Sequence, residues 1–287
     1  MPEQLLFTRI LNHAFAGPVT ALLRRLHIEP TFPQAPITNA VSMELIIFLF
    51  LLIIFLLLRA LHIEPTYPQA PITNAVAMEF IIFLFLLLLF LLLRARLSVE
   101  KPGGLQHTFE GIYGFVQNQS NDVIGHHSEQ FTPFLTTLLL FILVGNLMGL
   151  VPGLESPTGT PVVPLGCAVC AFLYYHWHGF RKHGIAYLKQ FLGHQDPSMS
   201  ILMRIPLGLL MLIIEPISHL ARLISLTARL YGNMFAGDLI ILVFLSLIPI
   251  GVPIIFIGLH IGVALIQTYV FVLLATVYLA GAVAEEH

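Results

Sequence analysis

Charge is what this chain has least of. Only 10% of its 287 residues are Asp, Glu, Lys or Arg, while 57% are hydrophobic, and its mean hydropathy is +0.89. Soluble domains carry about 25% charged residues. The scarcity therefore excludes an ordinary soluble domain and predicts an all-α polytopic membrane protein. Thirteen basic and fifteen acidic residues leave a net charge of −2, without the basic excess that a nucleic-acid partner needs. Cysteine is scarce as well. The two present form Cys167-Ala-Val-Cys170, a spacing that suits redox or metal chemistry when a second pair or a βαβ pattern accompanies it. Neither does, and the pair reads as two small apolar residues on one helix face. The N-terminus lacks a basic-then-apolar signal with a small-residue cleavage site, and lacks an Arg- and Ser-rich transit peptide. The expected location is a bacterial plasma (inner) membrane. No nucleophile–base pair or cofactor motif is present. His126, His127, His176, His178 and His183 lie where spans meet polar loops and read as interfacial histidines. No catalytic residue, cofactor or metal is expected.

What is present begins with a tandem repeat. Residues 26–60 and 61–95 differ at five positions only: Phe32/Tyr67, Ser42/Ala77, Leu45/Phe80, Ile53/Leu88 and Ile54/Leu89. Two copies are too few for a solenoid, which needs at least three. The near-identity points to a recent local duplication. Each copy has a Pro-rich lead, a Thr-Asn pair and an apolar run (40–58 and 75–93), close to the ~20 residues of a bilayer crossing. Glu44 and Glu79 come early in these runs and are expected to reach the headgroup level.

Further apolar stretches run over about 132–151, 162–180, 201–247 and 251–284. The last two exceed an upright span and are expected either to tilt or to carry short breaks. They would form a C-terminal hairpin closed by Ile248-Pro-Ile-Gly-Val-Pro253. Arg94, Arg96 and Lys101 follow the second copy, and Arg181, Lys182, Lys189 and Arg204 lie in the connection near 181–204. The turns at 153–161 and 248–253 hold no Lys or Arg. The positive-inside rule puts the first two regions and the C-terminus in the cytoplasm. The first copy either spans, placing the tail's Arg9, Arg24 and Arg25 inside and Arg59 outside, or lies in the interface or in a hairpin. The organisation is thus a tail (1–25), the duplicated segment (26–95), a cytoplasmic-side amphipathic connection (96–131), a transmembrane hairpin (132–180), a basic cytoplasmic loop (181–200) and the tilted C-terminal hairpin (201–287).

One charge stands deep in an apolar run. Arg229 cannot shed its proton, and an arginine at a helix centre costs roughly 2.5–3.5 kcal/mol on insertion scales. Glu215, Ser218, His219, Arg222, Ser225, Arg229 and Asn233 recur at helical spacing and share one face, which must meet protein or water rather than lipid. That face could be a structural stripe pairing Glu215 with Arg222, or an ion path. The following helix carries His260 and Gln267 seven residues apart, with Gly258-Leu-His-Ile-Gly262 as a small-xxx-small pattern for close helix contact. Counting from the intervening turn, Asp238 and His260 fall at similar depths and Gln267 deeper. Carboxylate, imidazole and amide then suit a proton relay toward Arg229.

The run Arg229-Leu-Tyr-Gly-Asn-Met-Phe-Ala-Gly-Asp238, the stretch Gln267-Thr-Tyr-Val-Phe-Val-Leu-Leu-Ala-Thr-Val-Tyr278 and the ending Glu285-Glu286-His287 resemble the subunit a family of F-type ATP synthases. Asn146-Leu-Met-Gly-Leu-Val-Pro152 resembles that family's first central hairpin. The resemblance implies a proton-conducting stator subunit with two offset half-channels, working against a ring of c subunits. The rest of the ATP synthase would be its partners, including b-type peripheral stalk subunits. It implies that Arg229 faces the ring carboxylate. Asn233, Asp238, His260 and Gln267 match the outer half-channel, and Glu215, Ser218 and Ser225 the cytoplasmic one. Arg222 matches a basic position nearer the cytoplasm. Asp238 stands where many members carry Glu or His, and Gly149 where a carboxylate often sits. The duplicated helix is also additional to the family pattern. Two other functions fit a polar seam: a structural membrane scaffold, and an independent secondary transporter with Arg229 binding an anion. A transporter would favour repeats across the whole chain rather than in its first helix alone.

Overall fold

A computed structural model describes residues 74–96, 103–125, 128–151, 154–184, 187, 201–248 and 251–284. The tail, the first repeat copy with Glu44, most of the basic loop, His126, His127 and the C-terminal Glu-Glu-His lie outside the described residues. Six α-helices account for nearly all of what is described: α1 (Asn74–Arg96), α2 (Gly104–Ile124), α3 (Thr132–Met148), α4 (Val162–His183), α5 (Ile201–Leu247) and α6 (Val252–Val283). Two short 3₁₀ turns, Ser128–Gln130 and Pro157–Gly159, precede α3 and α4.

These helices follow from long runs of Leu, Ile, Phe and Ala, in which the backbone hydrogen bonds are satisfied within the segment, as lipid requires. α5 is continuous over 47 residues and keeps Pro206 and Pro216 inside it. Of the two expectations for 201–247, the break is therefore not found. At 1.5 Å per residue α5 is about 70 Å long, more than twice a ~30 Å hydrocarbon core, so it cannot stand upright within one. The turn into α6 passes through Gly251 at φ +89°, a left-handed conformation that side chains resist.

α6 is the hub. It packs against α2, α3, α4 and α5, while α1 packs on α3 and on the 157–159 turn. α1, α5 and α6 each bury one stripe: Ile82, Leu86 and Phe90 of α1; Leu226, Leu230 and Met234 of α5; Phe271, Ala275 and Leu279 of α6, an i, i+4 spacing that turns one face inward. α3 is buried nearly all round, with every residue from Phe134 to Ile142 inside. Cys167 and Cys170 are free and buried in this core, as the reading of small apolar residues requires. Polar bonds fix the helix pairs. Asn146 of α3 donates through Nδ2 to Ala264 O (3.2 Å) and Thr268 Oγ1 (3.1 Å) of α6. Lys182 Nζ at the end of α4 donates to Val283 O at the end of α6 (2.8 Å), satisfying one of the orphan carbonyls there. The amphipathic connection folds as the helix α2 and is more than a surface element: its Phe115 ring meets Tyr269, mid-way along α6, at 5.8 Å.

Two expectations are corrected. Glu79 does not reach outward to headgroups; its side chain is 3% exposed, because it occupies the same inward stripe as Ile82 and Leu86. The Gly258–Gly262 pair does not serve contact among the described residues, since a Cβ at either would meet nothing within 4 Å. The close approach comes from α5 instead, at Gly237.

Candidate functional site

α5 divides the polar residues among three places. Its outward face exposes Ala221, Ser225, Ala228, Arg229 and Ala236, and a Cβ at Gly232 would meet nothing. Leu226, Leu230 and Met234 face the other way, into the core. The Arg229 guanidinium therefore stands on an outer surface of small residues bordered by Ile224 and Phe235. Among the described residues it makes no ion pair or hydrogen bond. A charge of that kind on an apolar surface needs a counter-charge from elsewhere.

The second place lies nine residues further along, about 13–14 Å of rise and half a turn around the helix from Arg229. Asp238 Oδ1 and His260 Nε2 are 3.5 Å apart, which bears out the equal depths expected from the turn. His260 is 2% exposed and, among the described residues, neither of its ring nitrogens has a hydrogen-bond partner, whereas the Asp238 side chain is 33% exposed. Gly237 makes this pairing possible: a Cβ there would overlap the imidazole ring. On its other side Asp238 meets the turn before α4, where a Cβ on Gly159 would lie 3.1 Å from Oδ2. Buried hydroxyls line that turn. Ser156 Oγ donates to Gly145 O (3.1 Å) and lies 2.8 Å from Thr158 Oγ1. Asn233 and Gln267 are half-buried between this pair and Arg229, and no hydrogen bond joins them to either.

The third place is at the far end of α5. Glu215, His219 and Arg222 line a cavity of about 110 Å³ with Tyr187, Tyr278, Gly281 and Ala282. Such a volume admits water. Glu215 and Arg222 share this cavity without an ion pair; the Arg222 guanidinium stacks over the Tyr278 ring at 5.1 Å instead. Tyr175 and its neighbour extend the network: Tyr175 Oη lies 2.9 Å from His219 Nδ1, and Tyr187 Oη 2.9 Å from His176 Nδ1. Ser218 is half-buried beside it.

Residues 75–280, which hold the polar residues of all three places, match the family model of the ATP synthase A chain. The chain belongs to the ATP synthase A chain family. It is similar to ATP synthase subunit a of Koribacter versatilis, at 46% identity over 288 residues covering the whole of both chains. It is also similar to the Solibacter usitatus subunit a (46% over 192 residues, 67% of this chain and 79% of that one) and to the Geotalea uraniireducens subunit a (42% over 186 residues, 65% and 77%). As a family member it is a non-catalytic membrane component of the ATP synthase complex. The family match begins at residue 75, inside the second repeat copy, and leaves the first copy outside.

Both departures from the family pattern have a physical setting. A Cβ at Gly149 would come 2.8 Å from the Cβ of Ser156, so the hairpin closes too tightly there for a carboxylate side chain. Asp238 reaches His260 despite its shorter side chain because Gly237 lets α6 approach. Sequence reasoning missed Asn146, Tyr175, Tyr187 and Tyr278 as members of the polar sites. The one available signal was Asn146, an amide in an otherwise apolar run. The tyrosines resemble ordinary interface residues until the fold brings them to the cavity.

Proposed function

We propose that this chain is the proton-conducting stator subunit of its synthase, and that the three places on α5 are an outer half-channel, an arginine barrier and an inner half-channel. The observation that carries the reading is Arg229, unpaired among the described residues on an exposed face of Ala, Ser and Gly. Small residues allow another helix to pass close by, and the arginine favours an ionised carboxylate on that helix. The passing element is a ring of c subunits, while a b-type stalk holds this chain still.

Protons arrive at Asp238 and His260, pass Asn233 and Gln267, and neutralise a ring carboxylate, which can then enter lipid. A carboxylate returning from the other side loses its proton toward Ser225, Ser218 and Glu215 and the water-sized cavity beside them. Arg229 prevents a direct leak between the two paths, because a proton cannot cross its fixed positive charge cheaply. About 2.3 kcal/mol is available per proton for each 100 mV of membrane potential. In this arrangement the 181–204 connection, with its basic residues, faces the cytoplasm of a bacterial inner membrane, and the C-terminus lies on the same side. A scaffold would use its arginine to join helices, and Arg229 joins none among the described residues.

Arg229→Ala tests the proposal. The variant is expected to insert and assemble yet lose ATP-coupled proton transport in inverted vesicles. Arg229→Lys is expected to be severely impaired, since an ammonium is more compact and more strongly hydrated. Normal coupled transport in Arg229→Ala vesicles would falsify the assignment.

A further inference from the structure

The outer half-channel has no place for Glu79, and its burial calls for one. Glu79 is 3% exposed, and among the described residues its Oε1 has no hydrogen-bond partner. A carboxylate removed from water without partners is costly unless it exchanges a proton or meets water. Its location is informative. Glu79 stands one turn before Ile82 on the inward stripe of α1. Gly145 lies between Ile82 and the 157–159 turn: a Cβ there would be 3.6 Å from Ile82 Cδ1 and 3.3 Å from Thr158 Cγ2. Thr158 and Ser156 hold the buried hydroxyl pair, and the next residue, Gly159, abuts Asp238 Oδ2. The Ser156 and Thr158 hydroxyls and the Asp238 carboxylate thus follow one another across the turn, and Glu79 stands one helical turn from Ile82, which packs on the near side of it. Among the described residues α3 has no acid, and Glu155, the acid beside the turn, is exposed where Glu79 is buried.

We propose that Glu79 is a proton-collecting residue of the outer half-channel, passing protons to Asp238 across the Ser156–Thr158 turn. The inference rests on the proton-path reading above. Outer water protonates the Glu79 carboxylate. Glu79–COOH and Asp238–COO⁻ then become Glu79–COO⁻ and Asp238–COOH, the proton moving along hydroxyls and water with no change of net charge. Asp238 hands the proton to the His260 side, and Glu79 is ready for the next. The titratable groups facing Glu79 are the thiols of Cys167 and Cys170 on α4; α3 and the 157–159 turn contain no ionisable residue.

The test is ATP synthesis by the complete complex in proteoliposomes. Total driving force is held constant while outer pH is varied by exchanging pH gradient for membrane potential. Glu79→Gln keeps the shape and removes the proton. It is expected to assemble, to synthesise on the order of tenfold more slowly at alkaline outer pH, and to approach the parent rate as the outer side is acidified. Its dependence on inner pH should be unchanged. Glu79→Asp should restore most of the parent outer-pH profile. An unchanged profile in Glu79→Gln, an equal loss at every outer pH, or failure to assemble would each make Glu79 a packing residue and overturn the proposal. Arg229→Ala, run alongside, separates the two levels. If it abolishes synthesis while Glu79→Gln behaves as the parent, only the collecting role falls; if it still supports synthesis, the proton-path reading falls with it.

Discussion

Gly237→Ala is the smallest change that should disable the outer relay. The added Cβ would sit 2.5 Å from His260 Cε1 and closer still to Nδ1. Carbon atoms rest about 3.5–4.0 Å apart, so the ring or the helix must retreat by roughly 1 Å. His260 has little room to do so, because it is 2% exposed and wedged between α5 and its own helix. Overpacking of this kind costs about 1–3 kcal/mol, which lowers the population of the present ring placement roughly 5- to 160-fold. Retreat also carries Nε2 away from Asp238, already 3.5 Å distant, beyond hydrogen-bond reach. ATP-driven proton pumping in inverted vesicles should therefore fall by a factor within that range, while ATP hydrolysis by detached catalytic sectors stays normal. A second substitution separates clash from other causes. Gly237→Ala with His260→Ala should recover thermal stability of the purified complex relative to Gly237→Ala alone, since the alanine at 260 vacates the ring's space. Pumping by Gly237→Ala at the parent rate, or a double variant less stable than the single one, would refute the tight α5–α6 contact.

Other expectations follow from the same structure. Asp238→Asn keeps the side-chain shape and removes the transferable proton; proton uptake from the outer side should slow markedly, and an unchanged rate across outer pH would remove Asp238 from the path. Asn146→Leu deletes the bonds to Ala264 and Thr268 and should cost about 1–3 kcal/mol, read as earlier thermal dissociation of the detergent-solubilised complex. Deletion of 26–60 keeps one copy of the repeat and all of the residues 75–280 that the family model matches, and should leave assembly and pumping intact; the Koribacter versatilis subunit aligns along the whole chain, and loss of the complex on native gels would show that the extra copy is needed.

Much of this protein was legible in its sequence, for identifiable reasons. Membrane character follows from charge scarcity, since lipid penalises charge wherever it stands. Helix class follows from the demand for internally satisfied backbone. Arg229 could be picked out because nothing else makes an arginine affordable in an apolar run. The equal depth of Asp238 and His260 was also available, as residues equidistant from a tight turn must lie side by side. Tertiary structure decided which face each polar group took. Asp238 and Arg229 are on one helix, yet half a turn apart, so one reaches His260 and the other the outer surface. Glu215 and Arg222 share a helix face two turns apart, and Arg222 stacks on Tyr278 of another helix. Glu79 looked like a headgroup residue by its position near the start of a span, and only the packing of α1 on α3 and the 157–159 turn puts it inside. Periodicity fixes what shares a face within one helix; which neighbour covers that face depends on contacts between segments more than a hundred residues apart, as between Asn146 and Thr268.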